Sequence, residues 1–248
     1  MTLARHLLAA FGLIYLLPLA LHAAWWMITD PAKAWNEVDW SSSGILAPAR
    51  ARPEALVHVY AARVGRWRGT AAEHTWIVVK EKGAASYTRF DKTFWGRPVK
   101  TNSWVPDSRW YGHTLYLAGR VEGVEAERLI PEIRRAVARY PFSAPGGYRA
   151  WPGPNSNSFV AHVLRSVPAS GVAMPPLAIG KDFRTDWWPI GRTPSGTGVE
   201  ISLFGLVGAA VGWAEGIEVN ILGLTAGIDV RRPAIKLPGF GRIGLSSA

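Results

Sequence analysis

Two periodicities run along this chain. Leu56-Val57-His58-Val59-Tyr60-Ala61 has the apolar, β-branched and aromatic content of a strand. Thr75–Lys80 reads as a second strand, Glu81-Lys82-Gly83 as a turn, Ala85–Phe90 as the returning third strand and Trp110–Ala118 as a fourth. Helical spacing appears in Glu125–Tyr140, where Leu129, Ile133, Ala136 and Val137 recur on one face. Glu122, Glu125 and Glu127 lie early in that segment and Arg134, Arg135 and Arg139 late, the order a helix dipole favours. Pro131 lacks the N–H that bonds one turn back, so the true start is expected near it, and Pro141 closes the helix. A shorter helix is expected over Ser156–Val167, with the stripe Phe159, Val160, Val163, Leu164 and Val167. Asn155 or Ser156 caps it and Pro168 ends it.

The tail from Gly198 to Gly239 is rich in glycine and apolar residues. Val199, Ile201 and Leu203 alternate with Glu200 and Ser202; Ile217, Val219 and Ile221 alternate with Glu218 and Asn220; Ile228 and Val230 bracket Asp229. Such alternation predicts an antiparallel meander. A helical alternative stands over 199–214, because Ile201–Ala214 is free of charge and Gly208, Gly212 and Gly216 recur every four residues, as in packed membrane helices.

The amino terminus follows neither periodicity. From Leu7 to Thr29 there is no Asp, Glu, Lys or Arg, and a helix over that stretch reaches roughly 35 Å at about 1.5 Å per residue, enough to cross a bilayer. Trp25 and Trp26 stand where aromatic side chains anchor at the interface. A cleaved signal peptide with its apolar part at Leu7–Leu21 is the rival reading; a cut after Ala24 would leave His22 where a small residue is preferred. With Arg5 holding the N-terminus inside, the expected topology is a single pass through a bacterial inner membrane with the main domain in the periplasm. Four regions follow: anchor or signal at 1–29, a linker at 30–55 marked by Ser41-Ser42-Ser43-Gly44, Pro48 and Pro53, an α+β core domain at 56–197, and a glycine-rich β extension at 198–248.

Composition narrows the chemistry. The 248 residues include no cysteine, which excludes a disulfide scaffold, a thiolate metal site and a cysteine nucleophile. Lys and Arg number 28 against 18 Asp and Glu, a net charge of +10, but the basic residues are scattered and form no run. A basic balance can mean nucleic acid, anionic lipid or an acidic polymer, and a diffusely basic surface with no specific partner is the plain reading; no nucleic-acid partner is expected. The 13 Trp residues fit contact with headgroups or sugar rings, and equally fit core filling. Six scattered histidines give no zinc spacing, and there is no Gly-x-Ser-x-Gly elbow, phosphate loop or dinucleotide fingerprint. No cofactor or metal is expected.

Two stretches carry candidate chemistry. His74 opens the strand Glu73-His74-Thr75-Trp76-Ile77-Val78-Val79, so its ring can project at the sheet's end. Trp151-Pro152-Gly153-Pro154-Asn155-Ser156-Asn157-Ser158-Phe159-Val160 delivers hydroxyls to a helix start, where free N–H groups and the dipole stabilise negative charge. Ser156 as nucleophile and His74 as base form the candidate dyad. Asp91 is the candidate third member, on a strand that also offers Tyr87 and Arg89; it orients the imidazole only if sheet pairing sets it beside His74. Trp76, Trp151, Asn155, Asn157 and Ser158 are candidate binding residues. Each residue also has a plainer reading: Ser156 as an ordinary cap, His74 as a strand-end histidine, His113 as a partly buried structural residue, and Asn155 and Asn157 as turn formers.

The order of histidine strand and helix-start nucleophile resembles the circularly permuted papain-like fold of lecithin:retinol acyltransferase-like enzymes and related peptidases and amidases. Asn155-Ser156-Asn157-Ser158-Phe159 matches their Asn-Cys-x-x-Phe-like helix start with serine in place of cysteine, and His74 matches the base. The stretch covered is His74–Val167. The sequence also resembles a bacterial membrane-anchored family of unknown function, through its His-Thr-Trp strand and Trp-Pro-Gly-Pro-Asn-Ser-Asn segment.

The expected fold is α+β: an antiparallel sheet with two packed helices in a permuted papain-like arrangement, a β-rich C-terminal extension, and one N-terminal transmembrane helix. The resemblance implies a serine-dependent hydrolase or acyltransferase acting on amide, ester or glycan-linked substrates of the envelope. The alternative is a catalytically inactive envelope module that binds or scaffolds through the same cleft.

Overall fold

A computed structural model describes residues 2–30 and 34–245. Met1, residues 31–33 of the expected linker and residues 246–248 of the expected extension lie outside the described residues.

The apolar N-terminal stretch is one helix, Thr2–Thr29, apolar and long enough to cross a membrane. It comprises α1 (Thr2–Phe11), a π-helical turn at Gly12–Leu16 and α2 (Leu17–Thr29). The wider turn precedes Pro18, which has no N–H to continue the α ladder. This helix does not stand clear of the rest. The Tyr15 hydroxyl donates to the Val219 carbonyl at 3.0 Å, Trp26 Nε1 donates to the Arg66 carbonyl at 3.2 Å, and the His22 ring meets Phe240 edge-on at 5.0 Å.

The core domain is built on a five-stranded antiparallel sheet of β1 (Leu56–Arg63), β2 (Glu73–Lys80), β3 (Thr88–Lys92), β4 (Val99–Thr101) and β5 (Tyr116–Glu122), in the order β4-β3-β2-β1-β5. Two helices cover one face: α3 (Gly123–Ala138) and α4 (Ser156–Arg165). Alternation decides what each face receives. Val57, Val59, Ile77, Val79 and Phe90 point to the helices and pack with Leu129, Ile133, Phe159 and Val163. Each such burial stabilises the fold by roughly 1.5–3 kcal/mol. Tyr60, Ala62, Trp76 and Val78 point the other way and pack with Trp110 and Leu115, flanked by Trp40, Trp95 and Trp104. Part of the tryptophan excess is thus a second core on the face opposite the helices. The segment expected to be a linker seals it: Ser42 Oγ donates to Asp107 Oδ1 at 2.8 Å, and the Tyr87 hydroxyl donates to the Ala47 carbonyl at 2.8 Å.

Several boundaries move. The third strand begins at Thr88, later than expected, and Val99–Thr101 adds a strand the sequence reading lacks. The strand expected from Trp110 begins at Tyr116, because Trp110 and His113 close a tight turn through an isolated bridge. Helix α3 runs through Pro131 instead of starting there, since the buried stripe Ala126, Leu129, Ile130 and Ile133 spans the proline.

The C-terminal part is a seven-stranded antiparallel meander: β6 (Ile190–Arg192), β7 (Gly198–Leu203), β8 (Val207–Gly212), β9 (Gly216–Ile221), β10 (Leu224–Asp229), β11 (Ala234–Leu237) and β12 (Gly241–Gly244). Strands β7 and β8 settle the two readings of 199–214 in favour of strand. The sheet begins before residue 198, at β6. The hairpin turns at Phe204-Gly205 and Leu222-Gly223 have positive φ at both central residues, the mirror-image turn that matches strand twist. Glu200, Ser202, Glu218, Asn220, Thr225 and Lys236 face inward and are buried, whereas Val199, Ile201, Leu203, Val211, Ile217 and Ile228 face outward and are exposed.

Candidate functional site

The site is assembled at the start of α4, where it meets the first residues of β2. Asn155 caps the helix: its Oδ1 accepts from the Asn157 N–H at 2.9 Å and the Ser158 N–H at 3.0 Å. Its own N–H donates to Ser158 Oγ at 2.7 Å, completing a capping box. Its Nδ2 donates to the carbonyls of Ala150 and Ile179, each at 3.0 Å. A Cβ on Gly180 would lie 2.5 Å from that Nδ2, so the cap is packed against a position that only glycine fits. Both X–Pro bonds leading into the cap, Trp151–Pro152 and Gly153–Pro154, are cis.

Asn157 ties the helix start to the strand. Its Nδ2 donates to the Glu73 carbonyl at 2.9 Å, and its Oδ1 accepts from Thr75 Oγ1 at 2.9 Å. The two residues flanking His74 are therefore held by the residue that follows Ser156. Strand alternation turns His74 itself to the tryptophan face. There its Nε2 lies 2.9 Å from Asp91 Oδ1, and its ring stacks on Trp110 at 3.8 Å between centroids with 10° between planes.

Asp91 is fixed in turn. Arg89 grips it bidentately, Nε to Oδ2 at 2.6 Å and Nη2 to Oδ1 at 2.9 Å, and donates through Nη1 to the Val105 carbonyl and to Ser108 Oγ. The guanidinium lies 4.2 Å above the Trp76 ring. Planar, bidentate geometry is what an arginine supplies to a buried carboxylate. Burial opposes the Asp91 charge, but Arg89 and the His74 hydrogen bond outweigh it and hold the carboxyl below its ordinary value. Burial holds the His74 imidazole below its ordinary value of 6.5, against the opposing pull of Asp91. The two directions make the pair a neutral imidazole on an ionised carboxylate, with Nε2 toward the carboxylate and, among the described residues, no hydrogen bond at Nδ1. That is the protonation state of a general base.

Ser156 occupies the first helical position and is 4% exposed. Among the described residues, the His74 hydrogen bond goes to Asp91 and none goes to Ser156. Its hydroxyl and its backbone N–H both face the Tyr148 phenol oxygen and favour that group's ionisation, while burial dominates and pushes the phenol up to about 12. Among the first-turn amides, the Ser156 N–H is the one that the Asn155 side chain leaves unclaimed.

The candidate binding residues separate. Trp76 is fully buried and donates through Nε1 to the Pro106 carbonyl at 2.9 Å, so it lines no cleft. Asn155, Asn157 and Ser158 spend their side chains on the cap and the strand. Trp151 is 49% exposed, with Nε1 donating to the Leu222 carbonyl at 2.8 Å. His113 pairs with Asp30 at 3.5 Å, away from the dyad.

Sequence reading missed three residues. Arg89 was weighed only as a neighbour of Asp91, although Arg-x-Asp on one strand puts both on one face, a detectable signal. Trp110 and Tyr148 come from loops whose approach no local pattern encodes. Of two cavities near the junction with the C-terminal sheet, the larger, about 310 Å³, lies at the far end of α4 among His162, Arg165, Arg184 and Arg192; neither cavity is lined by His74 or Ser156. Among the described residues no cluster of three or more His, Asp or Glu is placed to hold a metal ion.

No curated protein and no solved structure matches the chain. The papain-like resemblance thus finds no structural relative. A family model does match, over residues 54–183, a stretch that includes His74, Asp91 and Ser156 and ends before the seven-stranded sheet. Covering more than half of the sequence, that match shows that the chain belongs to a family described as protein of unknown function (DUF3750).

Proposed function

We propose that this protein is a membrane-anchored serine hydrolase or acyltransferase of the bacterial envelope, with Ser156 as nucleophile, His74 as base and Asp91 as the group that orients the base. The carrying observation is the clamp of Asn157 on both neighbours of His74, which brings the strand that bears the His74–Asp91 pair against the helix start that bears Ser156.

In the reaction the imidazole, which does not bond Ser156 at rest, closes on it and takes its proton as the oxygen attacks an acyl carbon, and the imidazolium that forms is stabilised by Asp91. The Ser156 N–H donates to the developing oxyanion, with the protonated Tyr148 phenol as a second donor. The imidazolium then returns the proton to the leaving amine or alcohol as the acyl–heteroatom bond breaks and leaves the acyl group on Ser156. Water, or an acceptor alcohol or amine, deprotonated by His74, attacks that ester, and the proton goes back to the Ser156 oxygen. Amide and ester bonds of envelope polymers, including glycan-linked acyl groups, are the substrate class. The helix at Thr2–Thr29 anchors the chain in the inner membrane and sets the core domain on the periplasmic side, with Arg5 retained inside.

The test is labelling of the full chain by a fluorophosphonate probe. The wild type labels, Ser156→Ala does not, and His74→Gln slows labelling by about 10³-fold or more. Because His74 is held below 6.5, the labelling rate persists into mildly acidic buffer and falls only below that value. A rate that halves at or above pH 6.5 removes His74 as the base.

A second reading rests on its own observation. His74 is 4% exposed beneath Trp110, and Ser156 faces Tyr148 instead of the imidazole. A catalytically silent module with a buried polar network shows that geometry too. It shows no labelling in the wild type, and Ser156→Ala leaves its thermal stability and its ligand binding unchanged.

A further inference from the structure

The seven-stranded sheet is inverted relative to a sheet on a water-soluble domain. Its inward positions carry the charges. Glu200 pairs with Arg165 at 2.7 Å and Arg184 at 2.9 Å, and Glu218 takes Lys181 and Lys236, each at 2.6 Å. Its outward positions are apolar on strand after strand. Ile190 pairs with Ile201, Val199 with Val211, Val211 with Ile217, Ile217 with Ile228 and Ile228 with Ile235, and each of these is largely exposed. Strands spaced ~4.8 Å apart with ~3.3 Å per residue make this face on the order of 600 Å², at the upper limit for an apolar patch on a soluble monomer.

We propose that this outward face beds into the lipid of the membrane in which the N-terminal helix is anchored. Three observations select lipid over other occupants. The apolar helix already lies against the same face: Tyr15 reaches the Val219 carbonyl, and Ala226, outward by its pairing with Val219, is buried. Helix and sheet thus form one continuous apolar surface. The charges are also largely sorted by sign. Glu200, Glu215 and Glu218 are buried, Asp229 is engaged by Arg242 and the exposed Asp186 is neutralised by Arg184, while Arg192, Arg231 and Arg232 stand exposed at the margins. A cationic rim fits anionic headgroups, whereas a second copy of this face would meet it with like charge. Finally, Trp213 is 62% exposed with Arg231 5.9 Å from its ring, and Trp187 and Trp188 are exposed beside β6. Tryptophan and arginine at the border of an apolar surface are the residues of a membrane interface. The outward side chains turn toward the acyl chains alongside the helix, and open strand edges stay out of the hydrocarbon, where unpaired backbone groups do not occur. None of this rests on the serine chemistry.

The chain contains no cysteine, so single cysteines can carry a probe without background. Ile201→Cys and Val211→Cys report the outward face, and Arg139→Cys, exposed at the end of α3, reports the far side. Each full-length variant is labelled with an environment-sensitive fluorophore and reconstituted in vesicles of phosphatidylethanolamine and phosphatidylglycerol. Doxyl lipids are expected to quench the probes at 201 and 211 severalfold more than the probe at 139, and an aqueous quencher to show the reverse order. Equal access of the aqueous quencher to all three overturns the proposal. So does efficient cross-linking of 201 or 211 between copies without quenching by doxyl lipid, which assigns the face to a second copy.

Discussion

The two antiparallel sheets obey the same local rules and reach opposite arrangements. In the five-stranded sheet both faces are covered, by α3 and α4 on one side and by tryptophans on the other, and β2 is buried along its whole length. Its apolar residues make two cores, and its buried ionisable residues are tied one by one to local partners: Arg89 to Asp91, Glu73 to Arg63 and the Tyr116 hydroxyl, and Lys80 and Lys92 to backbone carbonyls. In the seven-stranded sheet the covered face is the polar one. Its contact with the core domain is written in ion pairs, and its apolar residues point away. Period-two alternation guarantees that the two faces of a strand differ; it does not say which face turns inward. That choice belongs to the partner. Where α3 and α4 present leucine, isoleucine and phenylalanine, the sheet answers with valine. Where the core domain presents Arg165, Lys181 and Arg184, the sheet answers with Glu200 and Glu218.

The contrast can be broken most severely at Glu218. Glu218→Ala leaves the Lys181 and Lys236 ammonium groups buried and unpaired, and is expected to cost about 3–5 kcal/mol in chemical denaturation of the detergent-solubilised chain. Replacing all three by apolar residues of similar size should recover most of that loss; failure to recover it would mean that the ion pairs specify the docking of the sheet and do more than tolerate it.

Next comes a matched pair. Ile77 in β2 is fully buried, and Ile77→Ala is expected to cost about 2–5 kcal/mol. Ile201 in β7 is 46% exposed, and Ile201→Ala in detergent is expected to cost no more than about 0.5 kcal/mol. Equal costs would show that the outward face packs against protein.

A pH-dependent effect lies at the junction of the two regions. Burial, with Arg165 nearby, lowers the His162 imidazole from 6.5 to about 4. The unfolded chain takes up that proton near 6.5 and the folded chain only near 4, so stability present above 6.5 is lost as pH falls across that interval. His162→Gln should therefore flatten the stability–pH profile there by about 3 kcal/mol, measured by unfolding at successive pH values.

Legibility followed the range of the interactions. The start of α4 was readable to within one residue, as a cap at Asn155 or Ser156, because a cap is a contact within four residues; the structure assigns it to Asn155. The His74–Asp91 pair was readable as a condition, since whether they meet depended on pairing between β2 and β3. Ile77 stands opposite Phe90, and that register carries Asp91 to the His74 side of the sheet. Trp110, which covers His74, and Tyr148, which faces Ser156, were not readable. Both belong to loops, and a loop's path is set by what it covers. The shifted start of β5 has the same origin, for Trp110 gives up a strand position to stack on the imidazole.

The sequence by itself determined what each segment is: an apolar helix from its lack of charge, strands from alternation, and a helix start at Ser156 from the cap before it. These depend on neighbours along the chain, within reach of backbone hydrogen bonds and side-chain period. Only the tertiary structure decided which way the seven-stranded sheet faces, which nitrogen of His74 meets a carboxylate, and what stands beside Ser156. Those outcomes turn on burial and charge pairing between residues tens to hundreds of positions apart. The free energy of a buried glutamate has no definite sign until its lysine is in place.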